Sequence, residues 1–348
     1  MVRWLELKKE TEYDDVVISS RIRLARNLTK FKFPNSLNTE EAKEISDIFI
    51  KAINSIDRDN KFTAVSLKEI DSIDRRVLME EHLISPELIK NKDISYYIIN
   101  EKNFLNLMIN EEDHLRLQVL LPGFDLYRAF EIAKNTDCQL EKNINFAFDK
   151  DFGYLTSCPT NTGTGMRASV MLHLPALKIR NYLQGIIDSL AKLGLTIRGV
   201  YGEGSDGLGD MFQISNQKTL GFSEIEVIDK LENIVIKIIE RERNTRRDLL
   251  NQKTNYLKDK VYRALGILKN ARIISDKEAL ENLSFLRMGI DLGLYKGLNY
   301  NQITNLMLSV QKYNILKYKY SLKSFEEENV LRADYIRDFF EQEEIVNE

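Results

Sequence analysis

Three short stretches set charged and nucleophilic side chains at spacings that can do chemistry. In V-V-I-S-S-R-I-R, Arg21 and Arg23 stand two apart after a β-branched run, so both guanidinium groups share one face of a continuing strand. Two such forks repel each other unless an anion lies between them, and a planar fork suits phosphate oxygens. In N-E-E-D-H-L-R, an acidic turn from Asn110 separates two aliphatic segments, and Arg116 faces away from Leu115, Leu117, Val119 and Leu121. In S-C-P-T-N-T-G-T-G-M-R-A-S-V, a thiol (Cys158) precedes Gly163 and Gly165, which can take positive φ and present successive N–H groups to an anion. Arg167, Ser169, Met171 and His173 then share a face, opposite Ala168, Val170, Leu172 and Leu174, as in a half-buried strand. Each stretch also has a plainer reading: solvated arginines on an edge strand, a solvated charged turn, and a hairpin. The glycine turn is not the G-x-x-x-x-G-K-[ST] phosphate loop.

The elements that must hold these groups alternate strand and helix up to about Gly221. Thr39 is expected to cap a helix with Glu40 and Glu41 in its first turn and Ala42, Ile45, Phe49 and Ala52 on its apolar face. Leu105 to Leu121 reads as strand, turn, strand, and strand signals recur at 144–148 and 154–157. Pro175 opens a helix expected over 176–193, followed by a strand at 195–200, the glycine-rich G-E-G-S-D-G-L-G, and a strand at 211–215. Beyond Ser223, whose pairing with Glu226 forms a capping box, everything reads as helix; Ser275 with Glu278 makes a second box, and Gly289, Gly293 and Gly297 mark a break. The expected fold is α+β, a mostly antiparallel sheet flanked by helices (1–246) followed by an all-α region (247–348). The boundary falls near Arg246, where R-E-R-N-T-R-R, read as a solvated helix surface, interrupts an apolar face.

Bulk properties narrow the class. The 348 residues carry a net charge of −3, which argues against nucleic-acid binding through bulk charge. Two cysteines, Cys138 and Cys158, are too few for a disulfide framework, and His82, His114 and His173 are too scattered for a sequence-evident metal site. The start M-V-R-W-L-E-L-K-K-E lacks a signal-peptide apolar region and no run of about 18 apolar residues occurs, so a cytoplasmic protein without a membrane partner is expected.

The string C-P-T-N-T-G-T followed by R-A-S-V resembles the signature of the ATP:guanidino phosphotransferases, the family of creatine and arginine kinases. S-S-R-I-R, L-x-E-x-H-L around His82, N-E-E-D-H-L-R, and R-G-V-Y-G-E with F-Q-I-S-N-Q resemble further blocks of that family in the same order, so the likeness runs from Val16 to Gly221. Within the family the chain looks most like the bacterial protein-arginine kinases. The resemblance implies ATP contacts from Ser19, Ser20, Arg21, Ile22 and Arg23, from His82 and Arg116, from Arg167, Ala168, Ser169, Val170 and Met171, and from Arg198, Gly199, Val200, Tyr201, Gly202 and Glu203. It implies that Glu112 and Glu203 engage the acceptor guanidinium, that Cys158 lies beside it, and that Mg²⁺ is held mainly through the nucleotide phosphates, with no protein metal site. Protein arginine is protonated, its pKa above about 12, so a carboxylate must orient it and take a proton; Glu112 is the expected base.

The resemblance also implies partners: proteins with exposed arginines, a stress-gene repressor among them, an activator protein, Clp ATPase and protease, and a second copy of the chain through the helical tail. About twenty residues precede Arg21, where creatine and arginine kinases carry a small helical domain, and the expected opening would admit an arginine on a protein. The tail departs from its group: where R-D-x-x-R-A forms a phosphoarginine pocket, this chain reads E-N-V-L-R-A from Glu328 to Ala333. Two alternatives stay open, a kinase of free arginine or another small guanidine, and a non-catalytic adaptor that binds nucleotide or phosphoarginine.

Overall fold

β-Branched and aliphatic runs become strands wherever they alternate or are bounded by turns. The computed structural model describes residues 2–7, 11–56, 62–100, 104–200, 207–318 and 325–347. The strands are β1 (Val17–Arg26), β2 (Thr63–Ser66), β3 (Tyr96–Asn100), β4 (Leu105–Ile109), β5 (Leu115–Pro122), β6 (Phe148–Asp149), β7 (Gly153–Tyr154), β8 (Met166–His173), β9 (Leu195–Gly199) and β10 (Met211–Asn216). The helices are α1 (Thr39–Ile56), α2 (Ser72–Glu80), α3 (Pro86–Lys90), α4 (Leu126–Glu141), α5 (Pro175–Ile179), α6 (Leu183–Lys192), α7 (Glu224–Gln252), α8 (Thr254–Asn270), α9 (Asp276–Asp291), α10 (Tyr300–Ser309), α11 (Lys312–Tyr318) and α12 (Phe325–Asn347). The main sheet has the order β2-β3-β4-β5-β1-β8-β10-β9, and β6 pairs with β7 in a separate hairpin. The pairings β2–β3, β3–β4, β4–β5 and β1–β5 are antiparallel.

The chain packs as two compact units. One comprises Ser19–Val170 and Ser215–Asn233; the other comprises Met1–Ile18, Met171–Ile214 and Ile234–Glu348. In the first, the apolar stripe Ala42, Ile45, Phe49, Ala52 and Ile53 of α1 and Ala129, Ala133 and Leu140 of α4 are buried at helical spacing. Asn38, not Thr39, caps α1: its Oδ1 accepts from Glu41 N–H at 2.8 Å while its own N–H donates to Glu41 Oε2 at 3.0 Å, a reciprocal box displaced one residue from expectation. The strand β8 is buried along nearly its whole length rather than on one face: besides pairing inside the sheet, the residues of its polar face are covered, Ser169 by Arg21 and His173 by Ser284 and Arg287.

In the other unit, the helix expected over 176–193 is broken into α5 and α6, with Asn181 at φ 57° between them. The basic run around Arg246 is not a solvated surface. Arg246 is fully buried inside an uninterrupted α7, donating to Glu242 Oε1 (2.7 Å), Asp291 Oδ2 (3.1 Å) and the carbonyls of Asp15 and His173, while Arg243 pairs with Asp15. Donors met in this way offset the cost of burying a guanidinium. Arg287 of α9 does the same, donating to the carbonyls of Asp14 and Asp15 at 2.6 Å each. Ser223 and Ser275 cap α7 and α9 as expected.

Candidate active site

Register alone puts three of the arginines on one face. In the β1–β5 ladder Arg23 stands opposite Gln118 and Ala25 opposite Arg116, so Arg21, Arg23 and Arg116 project from the same side of the sheet. From β8, Ser169 accepts a hydrogen bond from Arg21 Nε at 3.4 Å, and Arg167 on the same face donates from Nε and Nη2 to Ser215 Oγ at 3.3 and 3.0 Å. The electrostatics record the crowding. Burial, then Arg116 and Arg167, pull the Arg21 guanidinium down to about 9, and burial with Arg21, Arg116 and Arg167 holds Arg23 well below its ordinary value, with Glu111 opposing. Arg23 Nε is buried and has no hydrogen-bond partner among the described residues. A cluster of crowded, buried cations is stabilised by a bound polyanion, and an orphan N–H within it fits a phosphate oxygen.

Around this face, Ser19, Ser20, Ile22, Ala168 and Val170 are buried and keep the strands in place, and Ser20 Oγ is spent on Gly123 O and Asp125 N–H, each at 3.0 Å; Met171, buried as well, belongs to the other unit. His82 sits at φ 63°, held by Gln118 Nε2 donating to its carbonyl at 2.9 Å, and burial followed by Arg21 lowers its imidazole to about 3. A neutral ring beside a cationic cluster can accept a hydrogen bond or stack, and adds no further repulsion.

The acidic turn separates its two glutamates. Glu111 is consumed internally: it pairs with Arg116, accepts from Ser85 Oγ at 2.5 Å and takes the Glu112 N–H at 3.0 Å. Burial would raise the Glu111 carboxyl, but Arg116, Ser85, the Glu112 N–H and Arg23 together hold it below the usual carboxylate value. Glu112 is half-buried, and burial together with Asp113 and Glu111 pushes its carboxyl up. Of the two, Glu112 is the one poised to take a proton.

Asp113, which the sequence reading passed over, ties this turn to the cysteine loop. Its Oδ1 accepts from the Ser157 N–H at 2.7 Å and from Asn27 Nδ2 at 2.6 Å, while Asn27 Oδ1 accepts the His114 N–H at 2.9 Å. Glu112 and Cys158 are therefore each one residue from a shared carboxylate clamp. His114 completes the brace as a neutral ring, Nδ1 accepting from Leu28 N–H at 3.0 Å and Nε2 set against Lys32 O at 2.7 Å. The Cys158 thiol is partly exposed, 3.0 Å from Thr160 Oγ1. Arg26 supports the same loop from beneath, pairing with Asp137, donating to Thr164 O and lying 3.5 Å from the Tyr154 ring centroid. Neither Asp113 nor Arg26 carried a signal of its own in the sequence beyond its place inside a charged motif.

Arg21, Arg23, His82, Glu112, Arg116, Cys158 and Arg167 thus belong to one unit. Arg198, Gly199 and Val200 belong to the other, Arg198 exposed on β9 and Val200 donating its N–H to Met211 O at 2.9 Å. Tyr201, Gly202 and Glu203 lie outside the described residues. Among the described residues, no group of three or more His, Cys, Asp or Glu is placed to hold a metal ion, and no helix is long and apolar enough to cross a membrane.

Comparison with known proteins gives the arrangement its relatives. The family description ATP:guanido phosphotransferase, C-terminal catalytic domain, matches residues 44–245, and that of the protein-arginine kinase McsB C-terminal domain matches residues 254–348. The protein-arginine kinase of Geobacillus sp. is 44% identical over 307 residues, covering 88% of this chain and 85% of that protein; that of Halalkalibacterium halodurans is 44% identical over 306 residues, covering 88% and 86%. Among solved structures, lombricine kinase superposes with a TM-score of 0.58 at 28% identity over 66% of this chain and 67% of its own. The duplicated taurocyamine kinase of Schistosoma mansoni, at 24% identity and a TM-score of 0.59 over 76% of this chain and 39% of its own, shares the fold. With its arginine-lined sheet face, its divided glutamates and these relatives, the chain belongs to the ATP:guanidino phosphotransferase family.

Proposed function

We propose that this chain is an ATP-dependent protein-arginine kinase. The observation that carries the reading is the shared sheet face of Arg21, Arg23, Arg116 and Arg167, with a buried, orphan N–H on Arg23, beside a clamp that holds Glu112 and Cys158 together. The names of the relatives supply the acceptor: 44% identity to protein-arginine kinases favours an arginine within a protein. The triphosphate lies on the arginine face, where the guanidinium groups take up the charge that spreads over the transferring phosphoryl group. Mg²⁺, held mainly through the nucleotide phosphates, would supply further charge neutralisation there. Glu112 orients the acceptor guanidinium and accepts one N–H proton as the N–P bond forms and the bond from γ-phosphorus to the β,γ-bridging oxygen breaks, releasing ADP. Glu203 is the second carboxylate of this scheme, Arg198 a further phosphate ligand, and the Cys158 thiol lies beside the acceptor.

We further propose that residues 247–348 serve dimerisation or regulation and that the protein is cytoplasmic, with a stress-gene repressor among its substrates, an activator partner, and marked proteins passing to a Clp protease. The family likeness of residues 254–348 supports a separate role for that region. The deciding experiment supplies γ-labelled ATP with either an unfolded protein or free arginine. Acid-labile phosphoarginine on the protein is the expected product; label on free arginine alone makes the chain a small-guanidine kinase, and label on neither makes it a binding adaptor.

A further inference from the structure

The loop that carries Cys158 is wedged between two other chain segments at distances that only glycine permits. Tyr154 N–H donates to Gly163 O at 2.8 Å, and a Cβ on Gly153 would come within 2.4 Å of that same oxygen. On the other side, Thr219 Oγ1 donates to Thr160 O (3.0 Å) and Thr162 O (2.7 Å), and a Cβ on Gly163 would meet Thr219 O at 2.6 Å and Leu220 Cα at 2.9 Å. Gly153 and Gly163 hold φ of 74° and 120°, so neither admits a side chain without strain. Both flanks of the loop then turn large apolar side chains outward: Phe148 (61% exposed) and Phe152 (57%) from the β6–β7 hairpin, and Leu220 (52%) and Phe222 (42%) from the other segment.

The hairpin turn and two of these rings have partners. Asp149 Oδ1 accepts from the N–H groups of Asp151 and Phe152 at 2.8 and 3.1 Å, which shapes the hairpin turn, and the Phe148 ring meets Tyr154 edge-on at 5.2 Å. Lys230 Nζ stands 5.5 Å from the Phe222 ring centroid. Four exposed apolar side chains in rigid backbone around one loop cost solubility and contribute nothing to the core, which marks a surface that is covered in use.

We infer that the two apolar flanks of the Cys158 loop dock the substrate polypeptide, selecting arginines that have apolar neighbours in an extended segment. This rests on the kinase reading above. An arginine delivered to Glu112 and Cys158 brings its own chain with it, and at about 3.3 Å per residue the three residues on each side span about 10 Å of the surrounding surface. The surface offered there is apolar, so an unfolded segment, whose apolar side chains are exposed next to its arginines, is bound in preference to a folded surface where arginine neighbours are polar. Specificity then lies in the flanks and chemistry in the centre, which separates their mutational signatures.

The test uses the full chain and two unstructured peptides of equal charge, each with one arginine, flanked in one by Leu and Phe and in the other by Ser and Gly. The unmodified protein is expected to favour the apolar peptide by about tenfold or more in kcat/KM, as burial of one or two side chains implies. Phe152→Ser with Leu220→Ser should abolish that preference by raising KM, leaving kcat on the polar peptide and the affinity for an ATP analogue unchanged; the unchanged affinity also reports an intact fold. Equal turnover of the two peptides by the unmodified protein overturns the docking surface and leaves the kinase standing. Concentration-dependent self-association that the double variant abolishes, with the peptide preference intact, overturns it in favour of a second copy. Absence of label on either peptide, with label on free arginine, overturns the protein-kinase reading and this inference with it.

Discussion

Glu112 and Glu111 are adjacent and chemically identical, yet their surroundings assign them different work. Glu111 neutralises Arg116 and is held ionised; Glu112, raised by burial, Asp113 and Glu111, is the better proton acceptor. Glu112→Gln is therefore expected to lower kcat on the order of 10²-fold while nucleotide affinity, read by calorimetry with an ATP analogue, stays near normal. Glu203→Gln should behave alike, and near-normal turnover in both variants would remove them from the mechanism. Stability gives an independent reading with a defined sign. A carboxyl whose folded pKa lies above its unfolded value binds its proton more tightly when folded, so its ionisation costs stability that is absent below the ordinary value of 4.5 and appears as pH rises through the raised one. Glu112→Gln should raise Tm at pH 7 and leave it unchanged near pH 4; equal shifts at both pH values would place the effect elsewhere. His82, lowered to about 3, stays neutral from pH 5 to 8, and the pH–rate profile should show no inflection from it in that range.

At the scale of the element, β1 carries two opposing demands. Its alternate residues Ile22 and Leu24 build the core, while Arg21 and Arg23 build a cationic face that works against folding. Arg23→Met should therefore raise Tm in the absence of nucleotide, since it removes a crowded cation with an orphan buried N–H, and should weaken ATP binding by about tenfold or more; a fall in Tm would mean that the cluster is already neutralised in the free protein. The strand itself, the acidic turn between β4 and β5, the capping box at Ser223 and the Ser275 cap were legible because each depends on residues close in sequence. One local signal was passed over: Asn38, with Glu41 three residues on, makes a capping box one residue before the expected Thr39 cap. The rest of what escaped depends on distant neighbours, as where Ser284 and Arg287 cover His173 of β8. Arg246 looks like a surface residue until Glu242, Asp291 and two backbone carbonyls are brought to it by the fold. The pairing of Asp113 with the Ser157 N–H, at 44 residues' separation, is likewise invisible to any local pattern.

For the molecule as a whole, the open matter is whether its own product controls it. The resemblance implies a phosphoarginine pocket where the helical tail carries R-D-x-x-R-A; here Glu328 and Asn329 stand where arginine and aspartate are expected. Arg332 is fully buried and occupied, its Nη2 donating to Glu328 Oε1 at 2.5 Å, Nη1 to Asn329 Oδ1 at 2.7 Å and Ile274 O at 3.2 Å, and Nε to Val310 O at 2.8 Å. A phosphate would have to displace a carboxylate that already neutralises the guanidinium, and the two anions would repel in a site of low polarity. Added phosphoarginine is therefore expected to leave kcat/KM on a protein substrate unchanged, with a near-hyperbolic dependence on that substrate. Replacing Glu328→Arg together with Asn329→Asp leaves two guanidinium groups sharing one carboxylate, a buried site with net positive charge. That should lower stability, and phosphoarginine should restore part of the loss. The readout is Tm: a rise with phosphoarginine in the double variant and none in the unmodified protein. Strong activation of the unmodified protein by phosphoarginine, lost on Arg332→Lys, would show that the anion reaches Arg332 despite Glu328 and that the altered pocket still binds.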